Sequence, residues 1–81
     1  MDAKQTQRTL GRIIQARRSK LGYSQESFAD AIGVHRTYIG SIERGERNIT
    51  LKNLLLIAEG LEMPLSTLIA AAEATIMTSD S

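Results

Sequence analysis

Apolar residues recur along this chain at helical spacing, in five runs separated by turn residues, and no run alternates convincingly as a strand would. In the first run Leu10, Ile14, Arg17, Arg18 and Leu21 share one broad face, Ile13 widens it, and Arg8, Arg12 and Lys20 fall on the solvated side. A helix over Thr6–Leu21 follows, with Gly22 as its stop. The second and third runs predict two short helices, about Gln25–Ile32 and Arg36–Arg44, joined by Gly33-Val34 and ended by Gly45. The fourth predicts a helix over Leu51–Gly60 that buries Leu51, Leu54, Ile57, Ala58 and Leu61, with Leu55 and Leu56 off that face. Met63-Pro64 breaks the chain and opens a last helix carrying Leu65, Leu68, Ile69, Ala72 and Ile76.

The boundaries have chemical reasons. Ser24 suits an N-cap because its hydroxyl accepts from a first-turn amide. Tyr23 and Phe28 flank it as a hydrophobic staple. Glu26 complements the positive end of the helix dipole. Thr50 is the next N-cap, with Ile49 and Leu54 as a second staple. The expectation is an all-α fold: one compact five-helix domain over residues 6–77, a flexible N-terminus over 1–5 and a flexible tail over 78–81.

The third helix has two unlike faces. Ile39 and Ile42 point inward, while Thr37, Gly40, Ser41 and Arg44 recur at i, i+3, i+4, i+7, flanked by Arg36 and Tyr38. A small polar face with arginine at both ends suits a narrow slot lined with acceptors, as the DNA major groove is; the alternative is an ordinary solvated face. Net charge is only +1, which argues little, but its distribution argues more. Every Lys and Arg lies within residues 1–52, together with Asp2, Glu26, Asp30, Glu43 and Glu46, whereas residues 53–81 hold Glu59, Glu62, Glu73 and Asp80 and no base. A basic part followed by an acidic part points to a polyanion for the first and another task for the second.

Other functions find little support. Without cysteine there is neither a disulfide framework nor a thiolate metal site, and His35, the single histidine, makes a poor metal site and more plausibly caps the third helix or touches phosphate. Gly40 to Gly45 has the glycine spacing of a phosphate loop but continues with Glu46-Arg47 and lies in a helix. No base is placed to activate a serine. No enzyme activity, metal or cofactor is therefore expected. No apolar stretch approaches the ~18 residues of a membrane span, so the expected location is cytoplasmic.

The chain resembles the helix-turn-helix domains of the Cro and phage-repressor type, the Xre family. The resemblance is carried by Arg18, Gly22, Ser24-Gln25-Glu26, Phe28-Ala29, Gly33-Val34, Ile39 and Ile42-Glu43-Arg44-Gly45, then by Leu51, Leu54, Ile57-Ala58, Leu61, Pro64-Leu65 and Leu68. Within that family, His35-Arg36-Thr37-Tyr38-Ile39 and Glu43-Arg44-Gly45-Glu46-Arg47-Asn48 look like the controller proteins of restriction–modification systems. Gly40-Ser41 departs from the Ser-Gly more usual there, which puts the close contacts of that helix in doubt.

The resemblance implies a lambda-repressor-like fold and a transcriptional regulator of double-stranded DNA. It implies that Arg36, Thr37 and Ser41 meet base edges, and that Gln25, Tyr38, Arg44, Arg47 and Asn48 meet the DNA backbone. It pairs Arg18 with Glu43 as a structural ion pair, because a carboxylate beside Ile39 and Ile42 is costly without a partner. One recognition helix reads only a few base pairs, so a homodimer on a near-palindromic operator is expected, paired through Leu55, Leu56, Leu65, Ile69 and Ala72. Occlusion of a promoter or contact with RNA polymerase would set the sign of regulation. The competing reading is an antitoxin or other protein-interaction module that masks a partner.

Overall fold

A computed structural model describes residues 2–79. It contains five helices: α1 (Ala3–Lys20), α2 (Gln25–Ile32), α3 (Arg36–Glu43), α4 (Leu51–Gly60) and α5 (Leu65–Ser79). Side-chain caps start α2, α4 and α3: Ser24 accepts from Ser27 N while Ser27 Oγ accepts from Ser24 N, Thr50 accepts from Asn53 N, and His35 accepts from Thr37 N. Tyr23 and Phe28 meet edge-on at 5.5 Å between ring centroids, so the predicted staple forms. α1 starts earlier than the sequence suggested. Asp2 caps it by accepting from Gln5 N at 2.6 Å, which draws residues 3–5 into the helix. At the other end Thr78 and Ser79 continue α5; Met1, Asp80 and Ser81 lie outside the described residues.

Helix ends share one device. The residue after α1, α2, α3 and α4 that turns the chain sits at positive φ: Gly22 at 86°, Gly33 at 80°, Gly45 at 75° and Glu62 at 58°. The first three are glycines, which adopt this region freely; Glu62 is the exception.

The core gathers Leu10, Ile14, Phe28, Ala29, Ile39, Ile42, Ile57, Ala58, Leu61, Leu68 and Ala72. α5 and α3 pack on α1, while α2 packs on α3 and α4. Two glycines inside helices permit this. A Cβ on Gly11 would lie 2.4 Å from the Ile42 carbonyl oxygen, and one on Gly60 would lie 2.5 Å from Ile32 Cγ2 and 2.9 Å from Phe28 Cε1. Backbone therefore touches backbone where α1 crosses the end of α3. Leu51, expected inside, is 66% exposed. It has the right angular position on α4, but it sits in the first turn, where the buried residues Ile57 and Ala58 lie further along the axis.

Candidate nucleic-acid interface

α2, the Gly33 turn and α3 form the predicted helix–turn–helix. Gly33 N and Val34 N both donate to Ala29 O, at 2.9 and 3.0 Å, so the turn leaves α2 tightly and delivers His35 to the start of α3. Beneath them lies the ion pair. Arg18 Nε donates to Glu43 Oε2 at 2.6 Å, Nη2 to Glu43 Oε1 at 3.0 Å, and Nη1 to the Tyr23 carbonyl at 2.7 Å. Both side chains are almost entirely buried, and the hydrogen bonds that Arg18 donates to Glu43 raise the Arg18 pKa against the opposing effect of burial. Among the described residues no buried side-chain nitrogen or oxygen lacks a partner. Sequence reasoning placed this pair in a structural role, and its geometry is that of an inner joint rather than a docking group.

Gln25 Nε2 donates to Glu43 Oε1 at 2.9 Å. Its amide nitrogen, assigned to phosphate from the sequence, is thus engaged within the protein. The side chain still borders a cleft of about 530 Å³ that Ser24, Glu26, Arg36, Thr37 and Arg44 also line. This cleft lies between the start of α2 and the exposed side of α3.

Arg36 and Thr37 are exposed on the first turn of α3. Arg36 Nη1 lies 3.6 Å from Glu26 Oε2, a solvated pair that a stronger anion can displace. Thr37 Oγ1 lies 2.7 Å from His35 Nδ1. Arg44 is exposed and pairs through Nε with Glu46 at 3.2 Å. Arg47 extends over the Tyr38 ring, 5.6 Å from its centroid, and donates from Nε to Ser41 Oγ at 3.2 Å. Tyr38 Oη accepts from Asn53 Nδ2 at 2.8 Å, which leaves the phenolic hydrogen available to an acceptor. Asn48 Oδ1 accepts from Gln7 Nε2 and so ties the loop after α3 to α1.

Ser41 and Gly40 overturn part of the predicted outward face. Ser41 is only 7% exposed; its hydroxyl donates to Tyr38 O at 2.8 Å and accepts from Arg47. Gly40 is buried beneath Arg44 Nη1 and Gln25 Oε1. In this conformation the Ser41 hydroxyl both donates and accepts within the protein, toward Tyr38 O and from Arg47 Nε. Of this face Thr37 in the first turn and Arg44 at the helix end are exposed, while Gly40 and Ser41 between them are buried.

The surface expected for pairing also changes. Leu55 is 52% exposed, Leu65 and Ile69 are half-buried, and Leu56 is half-buried in a groove beside Tyr23 and Ile32. Ala72 is 1% exposed, since it continues the buried stripe of Leu68 and Ile76 one turn on, and does not belong to a free surface. Met77, not singled out from the sequence, is 70% exposed. Among the described residues no group of acidic, His or Cys side chains is arranged to hold a metal, and no single helix is long and apolar enough to cross a membrane.

Comparison with known proteins agrees with this geometry. The helix-turn-helix family model matches residues 6–68. The control protein C.MunI of Mycoplasma sp is 49% identical over 57 residues, which cover 70% of this chain and 77% of that protein. The control protein C.SmaI of Serratia marcescens is 58% identical over 38 residues, 47% of this chain; that match spans only 45% of its length. The crystal structure of the restriction–modification controller protein C.AhdI from Aeromonas hydrophila superposes with a TM-score of 0.73 at 36% identity, covering 75% of this chain and 92% of that one.

Proposed function

Since this chain belongs to the helix-turn-helix family, we propose that it acts as a homodimer on a near-palindromic operator and controls the expression of restriction–modification genes. It is a sequence-specific DNA-binding transcriptional regulator and not an enzyme. The observation that carries the operator reading is the first turn of α3. There Arg36 and Thr37 stand exposed on a helix whose orientation is fixed from beneath by the buried Arg18–Glu43 pair. With that turn in the major groove, Arg36 makes a bidentate pair with guanine and Thr37 meets a neighbouring base edge. Tyr38, Arg44, Arg47 and Asn48 meet phosphates on either side, and Gln25 does so at the start of α2 through the second Nε2 hydrogen, which its bond to Glu43 leaves free.

Leu55, Leu56, Leu65 and Ile69 supply the pairing surface, and the acidic second half faces away from DNA. The protein works in the cytoplasm, repressing by occlusion or activating through RNA polymerase according to where its operator lies. Its own concentration sets occupancy through the dimer equilibrium.

Selection of tight-binding duplexes from a random pool at moderate salt tests this reading. The expected product is an inverted repeat with half-site centres about 10 bp or a multiple of that apart. A folded protein that enriches no sequence removes the autonomous-regulator reading and directs the search to a protein partner.

A further inference from the structure

His35 is unusual as a cap because its ring nitrogen does two things at once. Thr37 N donates to His35 Nδ1 at 3.2 Å, and Thr37 Oγ1 lies 2.7 Å from the same Nδ1. A backbone N–H only donates, so Nδ1 is an acceptor and the ring hydrogen is on Nε2. An unprotonated Nδ1 cannot donate to Thr37 Oγ1. The short contact is therefore a hydrogen bond from the Thr37 hydroxyl to the ring, and the hydroxyl hydrogen is committed inside the protein. What Thr37 turns outward is its methyl group and the lone pairs of Oγ1.

We infer that His35 fixes the hydrogen-bonding polarity of Thr37, so that Thr37 reads DNA only as an acceptor and selects a base bearing an exocyclic amine. In the major groove those bases are adenine, through N6, and cytosine, through N4; guanine O6 and N7 and thymine O4 are acceptors and would face a lone pair. Threonine alone is a permissive reader because its hydroxyl rotates to give or take a hydrogen. Committed to His35, it becomes a discriminating one. His35 is a positioning residue here: it acts through Thr37 and touches no base. The inference rests on the proposed docking of α3, and its test is arranged so that the two fail differently.

The experiment measures binding of the full chain, by fluorescence anisotropy, to the selected operator and to duplexes carrying each of the four bases at every half-site position. Thr37→Val keeps the side-chain shape without the hydroxyl, and the position whose preference it erases is the one Thr37 reads. At that position the wild-type protein is expected to favour adenine or cytosine by about five- to tenfold over guanine or thymine. His35→Ala releases the hydroxyl, and the preference there is expected to fall to about twofold or less, with other positions unchanged. His35→Asp restores it, because an ionised carboxylate caps the helix and only accepts, although its charge weakens binding to every duplex. Circular dichroism establishes that each variant is folded at the assay temperature. A wild-type preference for guanine or thymine at the mapped position overturns the inference whether or not His35→Ala folds. So does a folded His35→Ala that keeps the wild-type preference, or a Thr37→Val that changes no position. Failure to select any operator overturns the docking of α3 and this inference together.

Discussion

The two sides of the molecule meet water in opposite ways. On the α2–α3 side the exposed polar groups are tied to one another: Thr37 to His35, Arg36 to Glu26, Arg44 to Glu46, Tyr38 to Asn53, and Arg47 to both Ser41 and the Tyr38 ring. On the α4–α5 side Leu51, Leu55 and Met77 stand more than half exposed, and the charges along residues 53–81 are all acidic. The first side presents directional groups already held in place, as recognition of a patterned polyanion requires. The second presents apolar area that a further protein surface would remove from water. Tied polar groups and exposed apolar area are thus presented by different sides of one short chain.

The largest expected effect comes from breaking the joint under the ordered side. Glu43→Ala leaves Arg18 charged and buried, and is expected to lower unfolding free energy by about 3–5 kcal/mol in urea titration. A loss below about 1 kcal/mol would mean that Arg18 finds water and that the pair does not hold α3 in place. Next come two changes that separate reading from positioning. Arg36→Ala is expected to cost about 1–3 kcal/mol of discrimination at one base position, while Arg47→Ala weakens all duplexes alike and lowers the slope of log K against log salt by about 0.9. Equal effects from both would show that the ordered side carries charge but no sequence information.

On the other side, Leu55→Asp is expected to shift the dimer equilibrium toward monomer by about tenfold or more in sedimentation, with monomer stability changed by only about 0.5 kcal/mol. An unchanged equilibrium places pairing elsewhere. The smallest effect is at Glu62, which holds φ 58° without being glycine. Glu62→Gly is expected to raise unfolding free energy by up to about 1 kcal/mol and leave DNA binding untouched, as thermal melts and anisotropy would show.

Much of the architecture was legible before any coordinates, for a local reason. Ser24, Gly33, Thr50 and the Tyr23–Phe28 staple act within a few residues of themselves, so spacing alone reveals them. Asp2 carried the same kind of signal, an Asp with Gln three residues later, and was missed. Leu51, Ser41 and Ala72 differ in burial from what their spacing suggested, and this has another origin. Periodicity gives a residue's angle about its own helix axis, but not where along that axis a neighbour crosses. Ser41 shares a stripe with Thr37, yet Arg47 and its loop cover one and not the other. Gly11 and Gly60 gave the one available hint of such crossings, since a glycine inside a helix carries a cost that close packing explains. The family resemblance supplied the Arg18–Glu43 partnership, which separation along the chain conceals.

The single Glu43 carboxylate accepts from Arg18 of α1 and from Gln25 of α2 while belonging to α3. Three helices are clamped through two oxygen atoms, and the clamp closes when the chain folds, not when a ligand arrives. The consequence is calorimetric. A protein that has already lost this freedom loses little more on association, so the heat-capacity change of complex formation should follow the area buried against the duplex, without the added signature of a segment folding onto its target.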